Sequence, residues 1–214
     1  MALDYNMDIG ATRHRSIVTL STCQNPMKAP FALLALLLSA LSMPIVAMAS
    51  PSLPVNTTKP AEAHNYKGTT KYQQGDPRGA IQEFDRAISI DPKYAEAYIN
   101  RALAKMGLGD KRGAISDYSR AIDLDPQDAL NYYNRGVAKF DAGDKQGALS
   151  DFDRAVALNP QDAETYCNRG AVKLSLGNKK GGIADLNIGA KLFRQQGQMS
   201  DYQKAIELIR QAKK

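Results

Sequence analysis

The sequence predicts an all-α protein: a solenoid of four helix-turn-helix repeats closed by a C-terminal capping helix. Three observations predict it. A motif of aromatic residue, Asn-Arg and small residue returns every 34 residues, as YINRA at 98–102, YYNRG at 132–136 and YCNRG at 166–170. Turn and stop signals keep the same period, as Gly75-Asp76, Gly109-Asp110, Gly143-Asp144 and Gly177-Asn178, then Asp91-Pro92, Asp125-Pro126 and Asn159-Pro160. Small residues recur at fixed places between these signals. Repetition at this length marks supersecondary units that bury a core only by stacking on their neighbours.

The front of the chain does not share the period. From Ala29 to Ala49 it is almost wholly apolar, follows Lys28 and ends in Ala47-Met48-Ala49, a small-x-small cleavage pattern. This predicts a signal peptide over 27–49 with translation starting at Met27. Residues 1–26 then lie upstream of the true start or form a long n-region. Cleavage after Ala49 predicts export to a periplasm or secretion, while a thylakoid-type lumen and a membrane anchor at 29–49 stay open. The run is about long enough to span a bilayer, but Pro30 and Pro44 shorten its uninterrupted helix. Residues 50–60, SPSLPVNTTKP, read as a Pro-rich disordered leader. Removing 1–49 leaves 25 basic and 20 acidic residues, net +5, and Cys167 as the single cysteine. An internal disulfide is thereby excluded, and the fold must rest on packing.

Four units follow, at 61–94, 95–128, 129–162 and 163–196. Within each 34-residue unit, helix A spans about positions 1–14, a Gly-Asp turn follows, and helix B spans about 17–30. Proline stops helix B, because it cannot continue the ladder and restricts the residue before it. Asp128 and Asp162 are placed to cap the next helix A. Position 8 is Gly68, Ala102, Gly136 and Gly170; position 20 is Ala80, Ala114, Ala148 and Gly182; position 27 is Ala87, Ala121, Ala155 and Gly189. Large residues sit at position 4 (His64, Tyr98, Tyr132, Tyr166) and position 24 (Phe84, Tyr118, Phe152, Leu186).

This pattern resembles the tetratricopeptide repeat (TPR) of an exported bacterial protein, over 61–196. The resemblance implies a right-handed arc whose A helices line a concave face. Unit four departs from it, with glycine at positions 20 and 27 and Arg194 in place of proline. Each mid-helix glycine costs about 0.8–1.0 kcal/mol relative to alanine, so this unit is expected to be the loosest. Beyond Gly197, residues 200–213 are expected to form the capping helix. Ser200 and Gln203 would make a capping box, and Tyr202, Ala205, Ile206 and Ile209 an apolar stripe.

Position 7 carries a cation in every unit (Lys67, Arg101, Arg135, Arg169) and position 23 an acid (Glu83, Asp117, Asp151, Asp185). In an antiparallel hairpin these positions meet. The expected role is an ion pair locking helix A to helix B, for which the Arg fork suits a carboxylate.

On the family's concave positions, the sequence places Tyr72 in unit one. Unit two places Ile99, Asn100, Leu103 and Met106; unit three Tyr133, Asn134, Val137 and Phe140; unit four Cys167, Asn168 and Leu174. An apolar floor rimmed by amides suits an extended peptide or a helix of a partner protein. The alternative is a structural spacer whose groove is filled by its own or another copy's helix, giving a homo-oligomer. One subset of the family grips a partner's C-terminal carboxylate. The corresponding residues here are Asn65, Thr69, Asn100, Leu130 and Asn134, of which only Asn100 matches, so that mode is not expected.

No enzyme is expected. After 1–49 the chain has a single histidine, no metal-ligand spacing, no cofactor motif and no Gly-rich phosphate loop. Dispersed Lys-Arg and Lys-Lys pairs do not make a nucleic-acid footprint. They leave only a weak attraction to acidic surfaces such as anionic lipid.

Overall fold

The structure, a computed structural model, describes residues 60–214. The segments read as upstream region, signal peptide and leader lie outside the described residues, apart from Pro60. Among the described residues the elements are α1 (Pro60–Gln73), α2 (Pro77–Ile90), α3 (Ala95–Gly107), α4 (Lys111–Leu124), α5 (Ala129–Asp141), α6 (Lys145–Leu158), α7 (Ala163–Ser175), α8 (Lys179–Gln195) and α9 (Met199–Lys213). Each helix packs on its neighbours in sequence, and α1 also meets α3. The result is a TPR-like helical solenoid.

The turns inside the units are alike. Gly75, Gly109, Gly143 and Gly177 take φ of 81°, 80°, 88° and 83°, a left-handed region that glycine enters without cost. The next residue then caps helix B. Asp76, Asp110, Asp144 and Asn178 accept the backbone N–H of Gly79, Gly113, Gly147 and Gly181 at 2.8–2.9 Å. Asp91, Asp125 and Asn159 end the first three B helices with ψ near 90°, where the following proline holds them. Of the two expected caps on A helices, Asp128 accepts the N–H of Leu130 at 2.9 Å. Asp162 does not cap: its carboxylate accepts the Thr165 hydroxyl instead, at 2.5 Å.

The core runs along the A–B seam. Phe84, Tyr118, Phe152 and Leu186 at position 24 are at most 1% exposed. In units one and three these rings lie directly against Gly68 and Gly136, where a Cβ would stand 2.5 and 2.9 Å from the ring.

The structure gives the glycines of unit four a role that helix propensity leaves out. Its glycines are sites of close approach. A Cβ on Gly182 would lie 2.8 Å from the Gly170 carbonyl oxygen, and one on Gly189 2.9 Å from that of Ala163. Helices α7 and α8 approach more closely there than alanine allows. The capping box is corrected. Helix α9 starts at Met199, so Ser200 is already helical, and the N-cap Gln198 makes no side-chain cap bond. The apolar stripe does cover the end of the array, burying Ala205 and Ile209 while Tyr202 packs against Ala163, Leu192 and Phe193.

Candidate functional site: the open face of the A helices

The repeated Arg belongs to the scaffold. Arg101, Arg135 and Arg169 grip Asp117, Asp151 and Asp185 through two hydrogen bonds each, at 2.6–2.9 Å. The remaining Nη1 reaches back to position 25 of the preceding unit: Asp85 at 2.6 Å, Ser119 at 3.1 Å and Asp153 at 2.9 Å. Each Arg also lies over its own unit's Tyr98, Tyr132 or Tyr166 ring, 5.3–5.7 Å from the centroid. The Asp151 hydrogen bonds push Arg135 above its usual pKa, and those of Asp185 do the same for Arg169. One side chain thus ties both helices of a unit to the unit before.

Sequence reasoning missed a second cation on each carboxylate. Lys105, Lys139 and Lys173 stand 2.8 Å from Asp117, Asp151 and Asp185. The signal was present: position 11 is lysine in all four units, one helical turn beyond position 7.

Unit one departs from the expected pairing. Lys67 is exposed and does not bridge Glu83. Glu83 instead takes His64 Nδ1 and Arg86 Nη1, both at 2.7 Å, with Lys71 at 3.8 Å. Glutamate is one methylene longer than aspartate and reaches the ring at position 4. The His64 hydrogen bond, then the nearby cations, hold Glu83 below its usual carboxylate pKa against the opposing effect of burial.

The A helices lie side by side, bridged by side chains from their shared open face. Here the amide series divides. Asn100 is not a rim group: it is 2% exposed and donates to Asn65 Oδ1 at 3.0 Å. Asn65 in turn donates to Tyr94 and Glu96, both at 3.2 Å. Asn168 is half-buried and donates to the Tyr133 hydroxyl at 3.0 Å. Each bond spans 35 residues, from position 6 to position 5 of the preceding unit. For Asn134 that partner would be Ile99, which has no polar group. Asn134 makes no side-chain hydrogen bond among the described residues and is half-buried like Asn168.

The apolar residues expected on this face are all half-buried. Ile99, Leu103 and Met106 rest on Ala102, Ala114, Tyr118 and Ala138; Tyr133, Val137 and Phe140 rest on Ala148, Phe152 and Val172. Tyr72 packs on the core of unit one, and Leu174 is half-buried against Gly182. Cys167 packs against the Ala163 cluster, and burial pushes its thiol up to about 12, which leaves it unreactive. Two exposed residues join the face beyond the expected floor and rim, Tyr66 at 69% and Leu130 at 41%. Among the described residues no metal-binding cluster occurs, and no helix is long and apolar enough to cross a membrane.

Two family models match the chain: Tetratricopeptide repeat over residues 99–163, and TPR repeat over 68–109. No curated protein matches. Among solved structures, a MamA protein is 23% identical over 71% of this chain and 91% of its own, with a TM-score of 0.59. The first TPR of Spaghetti (RPAP3), bound to the HSP90 peptide SRMEEVD, is 26% identical over 55% of this chain and 94% of its own, with a TM-score of 0.54. The second TPR domain of human RPAP3, in complex with the HSP70 peptide SGPTIEEVD, is 26% identical over 53% and 94%, with a TM-score of 0.51.

Proposed function

We propose that this chain, whose repeats belong to the tetratricopeptide family, is a scaffold or adaptor that holds a partner's peptide or helix along the open face of its A helices. The observation that carries this is the centre of that face. Half-buried Leu103, Met106, Val137 and Phe140 form an apolar floor across units two and three. Beside it Asn134 keeps an unused amide between two amides that are already bonded. Such an amide can hold a partner's backbone while the floor takes its side chains. Two TPR domains of similar fold, those of RPAP3, are solved with peptides bound, which supports a peptide as the partner class.

The test is crosslinking in the native compartment with Leu103→Glu and Phe140→Glu variants, read by mass spectrometry. Loss of the crosslinked partner with helicity intact is expected. A partner retained by both variants would remove the groove from consideration, and loss of self-association alone would favour the spacer reading. Export is part of the same proposal and rests on the apolar 29–49 segment with its Ala-Met-Ala end. N-terminal sequencing of the exported product should begin at Ser50.

A further inference from the structure

Resting on the groove reading above, the charges on the open face narrow the partner. Units two to four place six cations on their A helices: Arg101, Lys105, Arg135, Lys139, Arg169 and Lys173. All six turn toward the B helices, where they are held by Asp117, Asp151 and Asp185. Positions 2, 5, 6, 9, 12 and 13 of the four units hold no Lys, Arg or His. They do hold carboxylates: half-buried Glu62, Glu96 and Glu164 at position 2, and exposed Asp141 at position 13. At the position-13 end the B-helix lysines Lys111 and Lys145 reach over to the carbonyls of Asp141 and Ser175, so the uncompensated acidic edge is the position-2 end. Polar groups on this side register the field. The Tyr94 hydroxyl is pushed up by burial and by Glu96 and Glu62; the Tyr133 hydroxyl is pushed up by burial and by Glu164 and Asp162.

We propose that the open face takes a partner segment in which lysine or arginine alternates with apolar side chains, and that it rejects acidic tails. The apolar side chains sit on the floor of units two and three. The cations meet the position-2 glutamates along the edge where the A helices begin. Charge complementarity of this kind sets partner choice more than raw affinity, because like charges across an interface are penalised. The preference also runs against the chain as a whole, whose formal net charge is +6. Unspecific attraction would draw an acidic peptide, so a cationic preference can only come from the local face.

The experiment titrates the full chain with two labelled peptides of equal length, one of leucine and lysine, the other of leucine and glutamate. Anisotropy is followed at low and physiological salt. The lysine peptide should bind more tightly. Replacing all three glutamates (Glu62→Gln, Glu96→Gln, Glu164→Gln) should weaken it roughly ten-fold, as three partly screened pairs imply. Glutamine keeps the acceptor that Tyr94 uses, and circular dichroism checks the fold. Phe140→Ala should weaken both peptides. Equal or tighter binding of the glutamate peptide, still lost on Phe140→Ala, would overturn the charge preference and leave the groove standing. Binding of neither peptide would overturn the groove reading and this inference together. A dimer that dissolves on Phe140→Ala without added peptide would assign the face to a second copy and overturn the proposal.

Discussion

Replacing Gly182 with alanine sets helix propensity against packing. Gly182 lies in the first turn of α8 in unit four, where the other three units have alanine. On propensity alone the substitution should stabilise by about 1 kcal/mol. In the structure the new methyl would stand 2.8 Å from the Gly170 carbonyl oxygen and 2.7 Å from Leu174 Cγ. The leucine can turn aside; the carbonyl belongs to the backbone of α7 and can yield only if the two helices separate. Overpacking of this kind costs about 1–3 kcal/mol. A rigid backbone neighbour puts the cost toward the upper end, so the net expectation is a loss of about 1–2 kcal/mol, or roughly 3–6 °C in Tm for a chain of this size. Because repeat arrays can unfold unit by unit, hydrogen exchange should accompany the thermal scan and show the loss concentrated in α7 and α8. A Tm that rises by the propensity increment would refute the close-approach account and restore the picture of a loose final unit.

Asp151→Asn strips the carboxylate from Arg135 and Lys139 at a site 3% exposed, and should cost about 3–5 kcal/mol in urea unfolding; an unchanged midpoint would rule out a buried pair. Asn131→Ala should do the opposite. Among the described residues both atoms of that amide are buried without a hydrogen-bond partner, and the same position in unit two is Ala97, so relief of about 1–3 kcal/mol is expected in the same assay. Acid should open unit one. Glu83 has a depressed pKa when folded, so its stabilisation is complete above its unfolded value of 4.5 and is lost as pH falls through the lower folded value. The protection of α1 and α2 against hydrogen exchange, taken relative to the unstructured-chain rate at each pH, should therefore fall below about pH 4.5, and Glu83→Gln should flatten that dependence.

The architecture was legible because each of its determinants is a column in a 34-residue repeat. Gly109 needs φ above zero and Pro126 ends a ladder whatever stands in the next unit. The Arg101–Asp117 pair was legible too, since both members belong to one hairpin. The errors fall where a column was read without its physical neighbour. Glycine in place of alanine was counted as a propensity defect at Gly182 and Gly189, because how closely two helices approach is not written in either helix alone. Ser200 was assigned a cap on composition, but α9 starts at Met199. Lys67 was paired by analogy with Arg101, although a glutamate with a histidine in reach has a better partner.

The candidate site shows the same effect most sharply. Asn100, Asn134 and Asn168 form one column and look equivalent. What each amide does is decided 35 residues earlier, at position 5 of the preceding unit. There Asn65 buries Asn100, Tyr133 occupies Asn168, and Ile99 offers Asn134 nothing to bond. A solenoid repeats its scaffold by column but writes its surface diagonally, from one unit to the next. The three amides therefore divide into two fixtures and one available group, and the available one lies on α5, the helix that also carries the floor residues Val137 and Phe140. Its position ties together the two halves of the functional reading: in units two to four the scaffold consumes the A-helix cations on the side facing the B helices, and the opposite side is left with carboxylates, apolar side chains and, among the described residues, the unspent amide of Asn134.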